Sequence, residues 1–121
     1  MDKKRVLVVD DDPDILKMLK LRIESEGFEF MGAQNGEEML EAIKIKKPDV
    51  ILLDVMLPKM DGYTALREMR KEEEYKEIPV IILTAKEKKK VWDLFALEGV
   101  SLFVEKPFDA RELLQKIRSL L

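Results

Sequence analysis

The chain contains no cysteine and no histidine. Without cysteine it has no disulfide and no thiolate metal site. Without histidine it lacks imidazole acid–base chemistry and most transition-metal sites. Long apolar runs are missing as well. Met1-Asp2-Lys3-Lys4-Arg5 leads into only four apolar residues, too short for a signal-peptide core or a membrane span. The expectation is a cytoplasmic protein with no membrane partner. Nor does one charge dominate: 22 Lys and Arg face 25 Asp and Glu, a net charge of -3. That balance gives no electrostatic basis for direct nucleic-acid binding. Amides are scarce (Gln34, Asn35, Gln115) while Lys and Glu abound, a bias in the direction of thermophilic proteins.

What is present fits one domain. The chain has 121 residues, 46% of them hydrophobic, enough for a core of its own. Val6 to Val9, Val50 to Leu53 and Val80 to Leu83 are continuously apolar and rich in β-branched residues, and Leu102 to Val104 is a shorter run of the same kind. Such runs read as strands buried on both faces, as in a parallel sheet covered by helices. Phe28-Glu29-Phe30-Met31 alternates in part and reads as a fifth strand, at an edge.

Helical patterns lie between the strands. Asp12 before Pro13 is an N-cap with proline in the first turn, Ile15, Leu16, Leu19 and Ile23 form one apolar face, and Gly27 ends the helix. Asn35 with Glu38, and Asp109 with Glu112, resemble capping boxes. They open helices carrying Met39, Leu40 and Ile43, then Leu113, Leu114 and Ile117. Gly62 to Arg70 and Lys86 to Glu98 supply two more helices. Strand–helix repeated five times predicts a single doubly wound α/β domain over residues 1–121 with right-handed crossovers.

The four core strands end in Asp10-Asp11, Asp54, Thr84 and, after Glu105, Lys106. In an open parallel α/β sheet, ligands bind beyond the carboxyl ends of the strands, where strand order reverses. Each residue also has an ordinary structural reading: a helix cap for Asp12 or Thr84, a turn residue for Asp54, a solvated lysine for Lys106. The cap reading is adopted for Asp12. It leaves Asp10 unexplained, because Asp10 directly follows four buried apolar residues. Two carboxylates about 4 Å apart repel by roughly 4 kcal/mol at an effective dielectric near 20. Three of them need a cation or must give up ionisation. Hard oxygen donors select magnesium or a similar ion such as manganese. Cation, ammonium and hydroxyl around a carboxylate make a phosphoryl-transfer site.

At this point Val8-Val9-Asp10-Asp11, Leu53-Asp54-Val55-Met56-Leu57-Pro58-Lys59-Met60-Asp61-Gly62, Leu83-Thr84-Ala85 and Lys106-Pro107-Phe108 resemble, in this order and spacing, the response-regulator receiver family. The resemblance covers essentially the whole chain. It implies a flavodoxin-like, three-layer sandwich: a five-stranded parallel sheet of order 2-1-3-4-5 and five helices. It implies that Asp54 is the phospho-acceptor and that Asp11 and Asp54 bind Mg2+ (or Mn2+) directly with the carbonyl of Met56, Asp10 acting through water. Lys106 would pair with the acceptor or its phosphoryl group, and Thr84 would turn its hydroxyl to a phosphoryl oxygen. Phe103 stands where the family places its switch aromatic, a reading favoured over plain core because that family position is usually Tyr or Phe. Pro107 resembles the family's cis-proline. The implied partners are a sensor histidine kinase and either a separate target or an output domain of a longer regulator. Homodimerisation through the fourth-helix–fifth-strand–fifth-helix face on activation is a further implication.

Two features depart from the chemotaxis-like pattern. Met56 and Lys86 resemble positions that tune phosphoryl lifetime in the family, and neither is a carboxylate or amide able to orient water. Slow autodephosphorylation is expected, and a half-life of seconds would contradict it. The fourth helical segment is bulky (Val91, Trp92, Leu94, Phe95, Ala96, Leu97). It reads either as a larger core or as a face exposing Trp92, with Leu97, as an interface hot spot. An alternative activity also fits part of the pattern. Asp10-x-Asp12, Thr84 and Lys106 resemble haloacid-dehalogenase-like phosphatases with Asp10 as nucleophile. Pro13 and the lack of an acidic pair after Lys106 disfavour that reading.

Overall fold

In the computed structural model, which describes residues 3–55, 57–85, 95–96, 98–100 and 102–121, five strands form one parallel sheet of order β2-β1-β3-β4-β5. They are β1 (Arg5–Val9), β2 (Glu29–Ala33), β3 (Val50–Asp54), β4 (Val80–Ala85) and β5 (Leu102–Lys106). The described residues contain four helices: α1 (Pro13–Ser25), α2 (Gly36–Ile45), α3 (Gly62–Arg70) and a C-terminal helix (Ala110–Ser119). Most of the fifth expected helix, Lys86 to Glu98, lies outside the described residues, with Lys86, Trp92 and Leu97 among them. Among the described residues, no helix is long and apolar enough to cross a membrane.

The apolar runs become strands buried on both faces because their side chains alternate between two cores. Leu7, Val9, Ile51, Leu53, Val80 and Ile82 pack with Met39 and Ile43 of α2 and with Ala65, Leu66 and Met69 of α3. Val6, Val8, Val50, Leu52, Ile81 and Leu83 face the other way, onto Leu19 and Ile23 of α1 and Leu113, Leu114 and Ile117 of the C-terminal helix. Helices therefore cover both faces of the sheet. Phe95 is buried in the first core, 5.3 Å edge-on to the ring of Tyr63, which supports the larger-core reading for that residue.

Local signals set the helix ends. The Asp12 carboxylate accepts from the Asp14 N–H and Pro13 occupies the first turn. Asn35 accepts from Glu38 N–H, while the Glu38 carboxylate accepts from Gln34 N–H, one residue before the capping-box position. Asp109 accepts from Arg111 N–H, and Asp61 caps α3 through Thr64 N–H. Beyond α1, Gly27 takes a φ of 87°, a conformation that glycine adopts without a Cβ penalty.

Candidate functional site

Sheet register assembles the site. Val9 pairs with Leu53, Asp54 with Leu83, and Thr84 and Ala85 with Glu105 and Lys106. Asp10, Asp54, Thr84 and, one residue past Glu105, Lys106 therefore emerge at the same carboxyl end of the sheet. Asp10, Asp11 and Asp54 each offer a carboxylate oxygen within 4.8 Å of the others. At that spacing each ionised pair repels by about 3 kcal/mol at an effective dielectric near 20. Asp10 is fully buried and Asp54 nearly so, while Asp11 is exposed. An all-oxygen cluster with one open side fits a hard divalent cation that keeps part of its water shell.

Lys106 ties two of these carboxylates together. Its ammonium donates to Asp10 Oδ2 at 2.8 Å and to Asp54 Oδ2 at 3.2 Å. The sequence suggested Lys106 as a partner of Asp54; its shorter bond is to Asp10. Burial alone would lower the Lys106 pKa, but the hydrogen bond to Asp10 and the charges of Asp54 and Asp10 outweigh it, and the group lies above the ordinary lysine range. Asp10 also folds the turn that presents Asp11, through its Oδ1, which accepts the Asp12 N–H at 2.9 Å. That bond accounts for a buried carboxylate which a helix cap could not explain.

Thr84 is buried at the carboxyl end of β4. Phe103 is half-buried on β5, opposite Ile82, and packs against the core shared with α2 and α3. The Lys106–Pro107 peptide is cis. Met56 lies outside the described residues. Beside Lys106, a mostly apolar groove of about 390 Å³ runs between Ile15 and Met18 of α1 and Pro107 and Phe108.

One residue that sequence reading passed over is Arg70, the last of α3. Its guanidinium donates to four backbone carbonyls: Ile78 at 2.8 Å, Glu98 at 2.9 Å, Tyr75 at 3.2 Å and Gly99 at 3.3 Å. Half-burial lowers its pKa against the opposing charges of Glu77 and Glu98. It joins the segment before β4 to the turn before β5. An arginine ending an apolar-faced helix was the only signal available.

Likeness to known proteins decides the family. Residues 6–118 match the response regulator receiver domain family. The chain belongs to that family. Among solved structures, the receiver is similar to two of chemotaxis response regulator CheY4 of Vibrio cholerae, with TM-scores of 0.93 and 0.92 at 28% identity, covering 99% of this chain and 100% of that one. It is also similar to the receiver domain of the Francisella response regulator 1452, with a TM-score of 0.87 at 33% identity, covering 98% and 96%. Among curated proteins it is 43% identical over 123 residues to the "Probable transcriptional regulator ycf27" of Cyanophora paradoxa, covering 100% of this chain and 49% of that one. It is 36% identical to the alkaline phosphatase synthesis transcriptional regulatory protein PhoP of Bacillus subtilis, covering 98% and 48%. The receiver spans about half the length of these curated relatives. It is a signalling domain of a two-component system, which sets aside the phosphatase reading with Asp10 as nucleophile.

Proposed function

We propose that this receiver is a phosphorylation-driven switch with Asp54 as acceptor. The observation that carries the reading is the meeting of three carboxylates and one ammonium at one end of the sheet, Asp10, Asp11, Asp54 and Lys106. Asp11 and Asp54 would hold Mg2+ or Mn2+, with Asp10 contributing through water; the family resemblance would add the backbone carbonyl of Met56, which lies outside the described residues. A cation held there would supply positive charge to offset the clustered carboxylates and the phosphoryl oxygens. An Asp54 carboxylate oxygen attacks phosphorus on the donor, a phospho-histidine of a sensor kinase. The new P–O bond forms as the P–N bond breaks, and the electron pair leaves with the imidazole nitrogen. Lys106 balances charge on the transferred group. Thr84 donates its hydroxyl to a phosphoryl oxygen, and the Phe103 ring follows it inward.

The donor must reach Asp54 from the open side, next to the apolar groove between α1 and Phe108. We assign the kinase to that rim. The readout passes through β5 and the C-terminal helix, with the segment between β4 and β5, to a separate target or to an output domain on a longer chain. Relatives covered for about half their length are named transcriptional regulators, which supports the second route. The net charge of -3 supports a receiver that does not itself bind nucleic acid. In this reading the receiver works in the cytoplasm, and activation pairs two copies through the same face.

Acetyl phosphate tests the reading without a kinase. With Mg2+, wild type becomes labelled and Asp54→Asn does not. Asp10→Asn retains its acceptor and labels slowly, with a raised Mg2+ requirement. Full labelling of Asp54→Asn overturns the proposal.

A further inference from the structure

Sheet pairing fixes the roots of Asp10 and Asp54, but not the course of the chain beyond Asp54. That course rests on a segment that contributes none of the site's side chains, the corner between β2 and α2. Asp10 N–H donates to Ala33 C=O at 3.0 Å, and Gly36 N–H donates to Met60 C=O at 3.0 Å. The corner thus bonds to the acidic turn at one end and to the loop after Asp54 at the other. Asn35, buried at its centre, holds α2 through the Glu38 N–H.

The contacts leave no slack. A Cβ at Gly36 would lie 2.5 Å from the Met60 carbonyl oxygen and 2.8 Å from Met60 Cβ. A Cβ at Gly62 would lie 2.5 Å from the carbonyl oxygen of Asp54 itself. Gly62 N–H also donates to Val55 C=O at 3.3 Å. Gly36 is not among the residues at positive φ, so glycine is needed there for space. Within the same loop Lys59 stands at a φ of 62°, a left-handed conformation that costs a lysine energy and persists only where its surroundings hold it. A continuous path of backbone contacts therefore runs from Asp10 through Ala33, Gly36, Met60 and Gly62 to Asp54.

We propose that the corner Ala33–Gly36 is a positioning strut for the cation site. By holding Met60 against α2, it sets the course of the loop leaving Asp54 and so the affinity of the site for Mg2+. The inference rests on the reading of Asp10, Asp11 and Asp54 as the cation site. Gly36→Ala would push the Met60 carbonyl away through a contact that rotamer changes do not relieve, because the opposing atom is backbone. Residues that orient metal ligands from outside the coordination sphere typically change affinity on the order of tenfold or more when altered.

The test is Mg2+ titration of the unphosphorylated protein followed by amide chemical shift, with unfolding in EDTA measured alongside. Gly36→Ala is expected to raise the Mg2+ dissociation constant on the order of tenfold. Gly32→Ala, whose Cβ would lie nearest the movable side chains of Phe30 and Leu16, is expected to leave it unchanged. A folded Gly36→Ala with wild-type affinity overturns the inference. Should Gly36→Ala fail to fold, Met60→Gly, which loosens the same contact without a clash, must weaken Mg2+ binding; unchanged affinity there overturns it equally. Wild type that binds no Mg2+ would sink the reading of the cation site instead, so the two failures are distinct.

Discussion

Asp10 carries the most demanding chemistry of any single residue here. It is fully buried, with one oxygen on the Asp12 N–H and the other on the Lys106 ammonium. Removing Lys106 leaves two buried carboxylates without their shared cation, so Lys106→Met should raise Mg2+ dependence and slow labelling by acetyl phosphate. Labelling kinetics against Mg2+ concentration check this. Arg70 acts at the same scale on stability. Hydrogen bonds to charged groups contribute about 1.5–3 kcal/mol each when made singly, and less when several share one group. Arg70→Ala should therefore cost about 2–4 kcal/mol, measured by urea denaturation. Lysine cannot reach four carbonyls with one point charge, so Arg70→Lys should recover only part of the loss.

The strands and helices follow signals that are local. β1, β3 and β4 were legible because a continuous β-branched run buried on both faces has few other outcomes. The bounds read for α3, Gly62 to Arg70, match the helix, and the structure adds the Asp61 cap that opens it. Strand β2 begins one residue later than its alternation suggested and runs on to Ala33, because pairing with β1 continues past the apolar residues as far as Ala33 opposite Val9. At the other end of that edge, Glu29 accepts from Arg5 at 2.6 Å and from Lys46 at 3.1 Å. These bonds, Lys46 first, hold the Glu29 pKa below the usual glutamate range. A carboxylate depressed on folding contributes stability that is fully present above its unfolded value and lost as pH falls through its folded one. The stability difference between wild type and Glu29→Gln should therefore be largest at neutral pH and shrink away below about pH 4. Denaturation at a series of pH values checks it; a gap that widens in acid would contradict it.

For the whole molecule, the sheet does the joining that spacing could not. Residues 10, 54 and 106 become neighbours only because β1, β3, β4 and β5 run parallel in register. The types of the site residues were readable from the sequence, and the family resemblance implied the Lys106–Asp54 pairing; the other mutual bonds were not readable. The Lys106–Asp10 bond, the Arg70 clamp and the Gly36–Met60 contact depend on how separate loops meet, and one-dimensional patterns carry no record of that. A cation bound only by the folded state stabilises it by mass action, by about 1.4 kcal/mol when free Mg2+ is ten times its dissociation constant. Wild type should show that increment, and Asp11→Asn should lose most of it, in thermal unfolding with and without Mg2+. An equal increment in both would place the cation elsewhere.

A crystal grown with Mg2+ and fluoroberyllate would locate the beryllium, and its position decides whether Asp54 is the acceptor. Beryllium is expected on a carboxylate oxygen of Asp54, with the cation against Asp11 and Asp54 and Lys106 on a fluoride. Beryllium on Asp10, or a cation remote from all three carboxylates, would contradict the assignment.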